Sequence, residues 1–124
     1  MSVKVVAIIG ASANRVKFGN KAVRAFAAQG YTVIPINPHE REIEGLPVFR
    51  SVLDVPGPID MASVYLAGAA ADAVLPELAQ KGIPEVWLNP GADDDEIIER
   101  ARALNLKPIV ACSIVGLGVS PYSL

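Results

Sequence analysis

Apolar positions along this 124-residue chain follow two alternating rhythms. Lys4–Ile9 ends in an unbroken β-branched and small apolar run, the pattern of a strand covered on both faces. Residues 19–29 then switch to a helical period, with Val23, Phe26 and Ala27 on one face and Gly30 where a C-cap belongs. Tyr31–Ile36 reads as a second strand, stopped by Asn37-Pro38. The stretch 41–58 is irregular, with Gly45, Pro47, Pro56, Gly57 and Pro58, and room for one or two helical turns within 49–54. Met61–Leu66 reads as a third strand. Asp72–Lys81 reads as a helix with Val74, Leu75, Leu78 and Ala79 inward, closed by Gly82. Glu85–Leu88 is a fourth strand, and 94–104 a helix with Ile97, Ile98, Ala101 and Leu104 on one face. There, Asp93 and Glu96 have the spacing of a capping box. Pro108–Ala111 is a fifth strand, followed by a glycine-containing tail.

Strand and helix thus alternate with short connections. This predicts an α/β fold: one domain over 1–124, with a doubly wound parallel sheet, three layers and strand order 3-2-1-4-5. Hydrophobic residues make up 52% of the chain, enough to fill one core. The formal net charge of −2 leaves no basic footprint for nucleic acid. No apolar run approaches the length of a membrane span, and no signal segment is visible. The single cysteine, Cys112, excludes an intrachain disulfide and fits a reducing compartment. The expectation is a cytoplasmic protein.

In such sheets ligands sit outside the carboxyl ends of the strands. With the predicted order, the switch point falls between the first and fourth strands. The first strand runs into Gly10-Ala11-Ser12, with Gly19 opening the next helix. Gly10 permits a tight turn, Ser12 offers a hydroxyl and an N–H, and Arg15 and Lys17 bring positive charge to the rim. The helix N-terminus adds partial positive charge, so the loop is a candidate phosphate cradle. It matches neither G-x-G-x-x-G nor the ending of a P-loop. Asn37 stands where binders of NAD usually carry an acid for the ribose. With Pro38, with His39 and Arg41 nearby in sequence, and with Lys17 from the first loop, this end suits a nucleotide carrying an extra phosphate. Leu66 and Ala67 suit the edge of an adenine ring. Asn89-Pro90-Gly91 forms a tight turn after the fourth strand, while Trp87 reads as core.

Catalytic partners are scarce. His39 is the only histidine and lies far in sequence from Cys112 and Ser113, so neither an activated thiol nor a Ser-His-Asp triad is expected. A histidine-based metal cluster is excluded by the same count, and no carboxylate pair is poised for acid–base work.

The joint order of VAIIGAS at 6–12, GYTVIPINP at 30–38, EIEGLPVFRSVLDVPGPID at 42–60, VWLNPGADDDEIIERARALNL at 86–106 and the cysteine at 112 resembles the small CoA-binding domain family. These are stand-alone, Rossmann-like proteins related to the CoA-binding domain of succinyl-CoA synthetase α subunits. The resemblance implies that Gly10, Ala11 and Ser12, with Arg15 or Lys17, hold the CoA pyrophosphate. It implies Asn37 and Pro38 beside the adenosine portion, Leu66 and Ala67 bordering the adenine, and Asn89, Pro90 and Gly91 along the pantetheine arm. Two departures stand out. Ala67-Gly68 replaces an Arg-Pro pair that many members carry, and Ala111-Cys112 replaces an Asp-Arg-Cys ending, so the expected groove is less charged.

The expected function is non-catalytic binding of coenzyme A or acyl-CoA. The alternatives are an NADP-binding reductase-like protein, a CoA-ligase-subunit-like protein awaiting a partner chain, and an interaction protein with a decayed nucleotide site. Expected partners are a small nucleotide ligand and either a second copy of the chain or another protein, with no nucleic acid and no membrane.

Overall fold

The computed structural model describes residues 4–124. The apolar run of the first strand becomes β1 (Val5–Ile9) at the centre of a five-stranded parallel sheet. Its side chains alternate between two cores, Val6 and Ile8 to one face and Ala7 and Ile9 to the other. That is why the run has no polar position. The other strands are β2 (Thr32–Ile36), β5 (Met61–Val64), β6 (Glu85–Leu88) and β7 (Pro108–Val110). Between β2 and β5 lie a small antiparallel hairpin, β3 (Glu42–Ile43) and β4 (Leu46–Pro47), and a single 3-10 turn at Val52–Asp54.

Helix α1 (Phe18–Ala28) covers one face of the sheet, with Ala22, Val23, Ala25 and Phe26 buried against Val6, Ile8 and Met61. Ala27, expected on the inner face, points to solvent. The opposite face is covered by α2 (Gly68–Lys81) and α3 (Asp95–Ala103), through Ala71, Leu75, Leu78, Ile97 and Ala101. Helix α2 starts four residues earlier than its apolar spacing suggests, at the small run Gly68-Ala69-Ala70-Ala71, so Pro76 is interior. Gly82 closes it in the left-handed conformation, as expected. The cap of α3 is Asp94, whose carboxylate accepts from the Glu96 N–H; Asp93 turns back to accept from the Gly91 N–H instead. A short helix, α4 (Ser113–Gly116), and a turn at Pro121–Ser123 complete the chain. Ile114 of the tail is fully buried in the α1-side core.

The parallel α/β architecture is as expected, but the strand order is not 3-2-1-4-5. The sheet runs β2-β1-β5-β6-β7, which is 2-1-3-4-5 when the five parallel strands are counted alone. Pro35 explains the difference. It pairs with Ile8 in register, and its carbonyl accepts from the Phe49 N–H at 3.1 Å on the far side from β1. The missing proline N–H therefore falls on the outer edge of β2, where a full neighbouring strand would find no donor. Among the described residues, that edge pairs with the Phe49 segment through one bridge to Ile36. The third parallel strand passes to the other side of β1, and the switch point lies between β1 and β5 rather than between the first and fourth strands.

Candidate functional site

The loop after β1 leaves the strand on backbone hydrogen bonds. The N–H groups of Gly10 and Ala11 both donate to the Ile36 carbonyl at 3.2 Å. Gly10 has φ +87°, and a Cβ there would lie 2.9 Å from the Leu66 side chain. A Cβ on Gly19 would lie 2.3 Å from the Gly10 carbonyl oxygen, so α1 starts directly against the loop. Lys17 occupies the N-cap position without a side-chain cap. Among the described residues, the N–H groups of Ser12, Phe18 and Gly19 have no protein acceptor. Three unpaired donors at the positive end of a three-turn helix form a site of anion-binding character.

These groups line an open groove of about 470 Å³ at the carboxyl edge of β1 and β5. Of the residues expected from sequence, Gly10, Ala11, Ser12, Lys17, Asn37, Pro38, Leu66 and Pro90 meet there, joined by Phe18, Gly19 and Tyr65. Arg15, Ala67, Asn89 and Gly91 are not part of the lining. Lys17 is the one cation lining the groove among the described residues; His39 and Arg41 do not reach it.

Hydrogen bonding separates the lining residues into walls and donors. The Asn37 side chain is largely engaged by the fold: its amide donates one hydrogen to the Ala11 carbonyl at 2.9 Å, and its oxygen accepts from the N–H groups of His39 and Glu40. It fixes the distance between the two loops and keeps one amide hydrogen unassigned. Ser12 Oγ accepts from the Asn14 N–H at 3.0 Å, which leaves its own proton to donate.

A polar network braces the loop from behind. Asn20, fully buried in α1, donates to the Ser12 carbonyl at 2.9 Å and to Glu44 at 3.2 Å, and accepts from Arg24 Nε at 2.7 Å. Arg24 also donates to the Arg15 carbonyl, and the Arg15 guanidinium pairs with Glu44. The Asn20 hydrogen bond, helped by Arg15, holds the Glu44 carboxyl below its usual range. Arg15 thus serves the hairpin in this arrangement, and Lys17 is left to face the groove.

A second network lies under the other side of the groove. Asn89, only 1% exposed, donates to Ser63 Oγ at 2.8 Å and to the Val64 carbonyl at 2.9 Å, and accepts from the Ser113 N–H at 2.8 Å. Ser113 Oγ meets Ser63 Oγ at 2.7 Å and the Tyr65 hydroxyl at 2.8 Å. Burial pushes the Tyr65 hydroxyl above its usual range against the opposing pull of Ser113, so Tyr65 stays neutral at physiological pH. Cys112 is half-buried beside this network. Trp87 packs against Gly116 and donates to Glu85, away from the groove, in line with a core role.

Residues 4–117 match the family model described as a CoA binding domain. The chain belongs to the CoA binding domain family. It is 35% identical to an ADP-forming acetate–CoA ligase I of Archaeoglobus fulgidus, over 84% of this chain and 17% of that protein. It is 32% identical to the ADP-forming acetate–CoA ligase II subunit alpha of Pyrococcus furiosus, over 90% of this chain and 27% of that subunit. The chain therefore spans only about a sixth to a quarter of these curated relatives. A conserved hypothetical protein of Pyrococcus furiosus superposes with a TM-score of 0.80 and 28% identity, covering 93% of this chain and 99% of that one. No helix of the described residues is long and apolar enough to cross a membrane.

Sequence reasoning missed the two bracing networks. One signal was available: Asn20 precedes Val23 by three positions and so interrupts the inward face of an alanine-rich helix with an amide. Ser113 carried no such mark, because its partners are 50, 48 and 24 residues away.

Proposed function

We propose that this domain binds coenzyme A or an acyl-CoA in the groove between β1 and β5 and does no chemistry on it. The observation that carries the reading is the set of unpaired N–H groups at Ser12, Phe18 and Gly19 beside Lys17. A pyrophosphate supplies the acceptors these donors lack. Membership of the CoA binding domain family supports the choice of nucleotide. In this reading Gly10, Ala11, Ser12 and Lys17 hold the phosphates, Pro38 and Leu66 flank the adenosine, and Pro90 guides the pantetheine arm. Among the described residues, no histidine or carboxylate lines the groove.

Calorimetric titration with CoA, dephospho-CoA, NADP and NAD tests it. CoA binds most tightly, and loss of the 3′-phosphate weakens binding by about 1–3 kcal/mol, the worth of one charge-assisted contact. Equal binding of all four, or none, contradicts the reading.

A second reading has its own support. Relatives named as acetate–CoA ligase subunits extend well beyond this domain. In that reading the domain presents CoA to a partner protein that supplies the catalytic groups. Co-purification of a defined partner, with CoA-dependent ligase activity only in the complex, distinguishes it from simple binding.

A further inference from the structure

We infer that the β3–β4 hairpin sets the shape of the phosphate loop from outside the groove, through Asn20 and Glu44, and that ligand binding and hairpin closure reinforce each other. The inference rests on the reading of the Gly10–Ser12 loop as the phosphate site. Neither Asn20 nor Glu44 lines the groove, so both act as positioning residues.

Asn20 is fully buried in the first turn of α1. One amide hydrogen goes to the Ser12 carbonyl at 2.9 Å and the other to Glu44 Oε2 at 3.2 Å, while its oxygen accepts from Arg24 Nε at 2.7 Å. A flipped amide would set its oxygen against a carbonyl and a carboxylate, so one orientation is fixed. The Ser12 carbonyl is thereby held on α1. Without that bond, the peptide after Ser12 can turn its carbonyl dipole toward the space where the Ser12 N–H and Lys17 meet an anion, and repel it.

Glu44 fixes the other end. It and Gly45 form the two-residue loop between β3 and β4, at φ +50° and +77°. Such loops favour glycine, asparagine or aspartate, and a glutamate there is held against its backbone preference. Its longer side chain supplies reach. The two carboxylate oxygens take Asn20 and the Arg15 guanidinium, so one group on the hairpin ties the loop at both ends. Arg24 closes the set by donating to the Arg15 carbonyl at 2.8 Å. Order at the hairpin tip lowers the cost of ordering the loop around a phosphate, and by linkage a bound phosphate orders the hairpin.

The test is hydrogen exchange and calorimetry on the full chain, with CoA and with inorganic pyrophosphate. The Val48 N–H closes the base of the hairpin onto the Arg41 carbonyl at 3.0 Å. CoA slows its exchange at least about threefold more than that of the Leu104 N–H, which lies on the opposite face of the sheet and reports global stabilisation. Asn20→Ala abolishes that difference and weakens CoA about tenfold. Glu44→Gly relieves the left-handed backbone, removes no buried apolar group and has the same effect, which keeps the test available if Asn20→Ala does not fold. Glu44→Gln retains an acceptor for Asn20 and binds CoA within about threefold of wild type. A brace that serves only stability gives neither the ligand-dependent protection nor this rescue. If Asn20→Ala and Glu44→Gly bind CoA as the wild type does, or CoA leaves the hairpin unprotected, the coupling is overturned and the nucleotide reading stands. If pyrophosphate binds and protects the hairpin but CoA binds no better, the nucleotide reading falls alone. If neither binds, both fall.

Discussion

The two sides of the groove treat polar groups in opposite ways. On the α1 side, N–H groups at Ser12, Phe18 and Gly19 are left without protein acceptors, and Lys17 faces the same space. Under the β5–β6 side, Ser63, Tyr65, Asn89 and Ser113 satisfy one another in a closed set. Unpaired donors at an exposed helix end retain water and are ready to exchange it for an anion. Paired groups in a buried cluster have no capacity to spare and instead fix the positions of the elements that carry them. In the proposed reading the first side meets the ligand. The second ties the tail to the sheet and keeps the floor in place.

Substitutions on the two sides should therefore fail differently. The largest effect is expected from Asn89→Ala. It leaves the buried Ser113 N–H without its acceptor and removes one donor each from Ser63 Oγ and the Val64 carbonyl, at a cost of about 3 kcal/mol in unfolding free energy. Urea denaturation reads this directly, and a change below 1 kcal/mol would show that the floor is not braced by this residue. Lys17→Ala should do the reverse. Stability stays within about 0.5 kcal/mol, because an exposed side chain is removed, while CoA binds about tenfold more weakly and with less dependence on salt. A Lys17→Ala variant that binds CoA normally would move the phosphates elsewhere in the groove.

The smallest effect concerns the Asn20–Glu44–Arg15 brace. The Glu44 carboxyl lies below its usual value of 4.5, held first by the Asn20 hydrogen bond and then by Arg15. A lowered carboxyl contributes stability above its unfolded value and loses that contribution as pH falls through its folded value. The wild type should thus exceed Glu44→Gln in stability at neutral pH, with the gap closing below pH 4.5. Denaturation of both proteins at pH 7 and pH 3.5 measures the gap, and a difference independent of pH would assign it to packing.

Local pattern made much of this molecule readable. The apolar run at 5–9, the helical face around Val23 and Phe26, and the stop at Gly82 are short-range signals, and each became the expected element. Strand order is a long-range property, and the one residue that encodes it, Pro35, acts by what it lacks on one edge of β2. Read as an edge marker, it would have excluded a third strand beyond β2. The same divide runs through the site. Eight of the expected residues line the groove because one loop, one turn and two strand ends converge at the switch point. Asn89 and Arg15 carry chemistry suited to a ligand, and their own neighbours in the fold absorb it: Ser63 and Ser113 in one case, Glu44 in the other. Residue type and position along a strand do not reveal such competition, since the partners come from distant parts of the chain.

The most direct test of the contrast between the two sides is an amide-resolved NMR titration of the full chain with CoA. The largest shifts should fall on the N–H groups of Ser12, Phe18 and Gly19, with Asn89 and Ser113 nearly unmoved. Saturable shifts centred on Asn89 and Ser113, with the loop silent, would contradict the assignment of ligand and scaffold to the two sides.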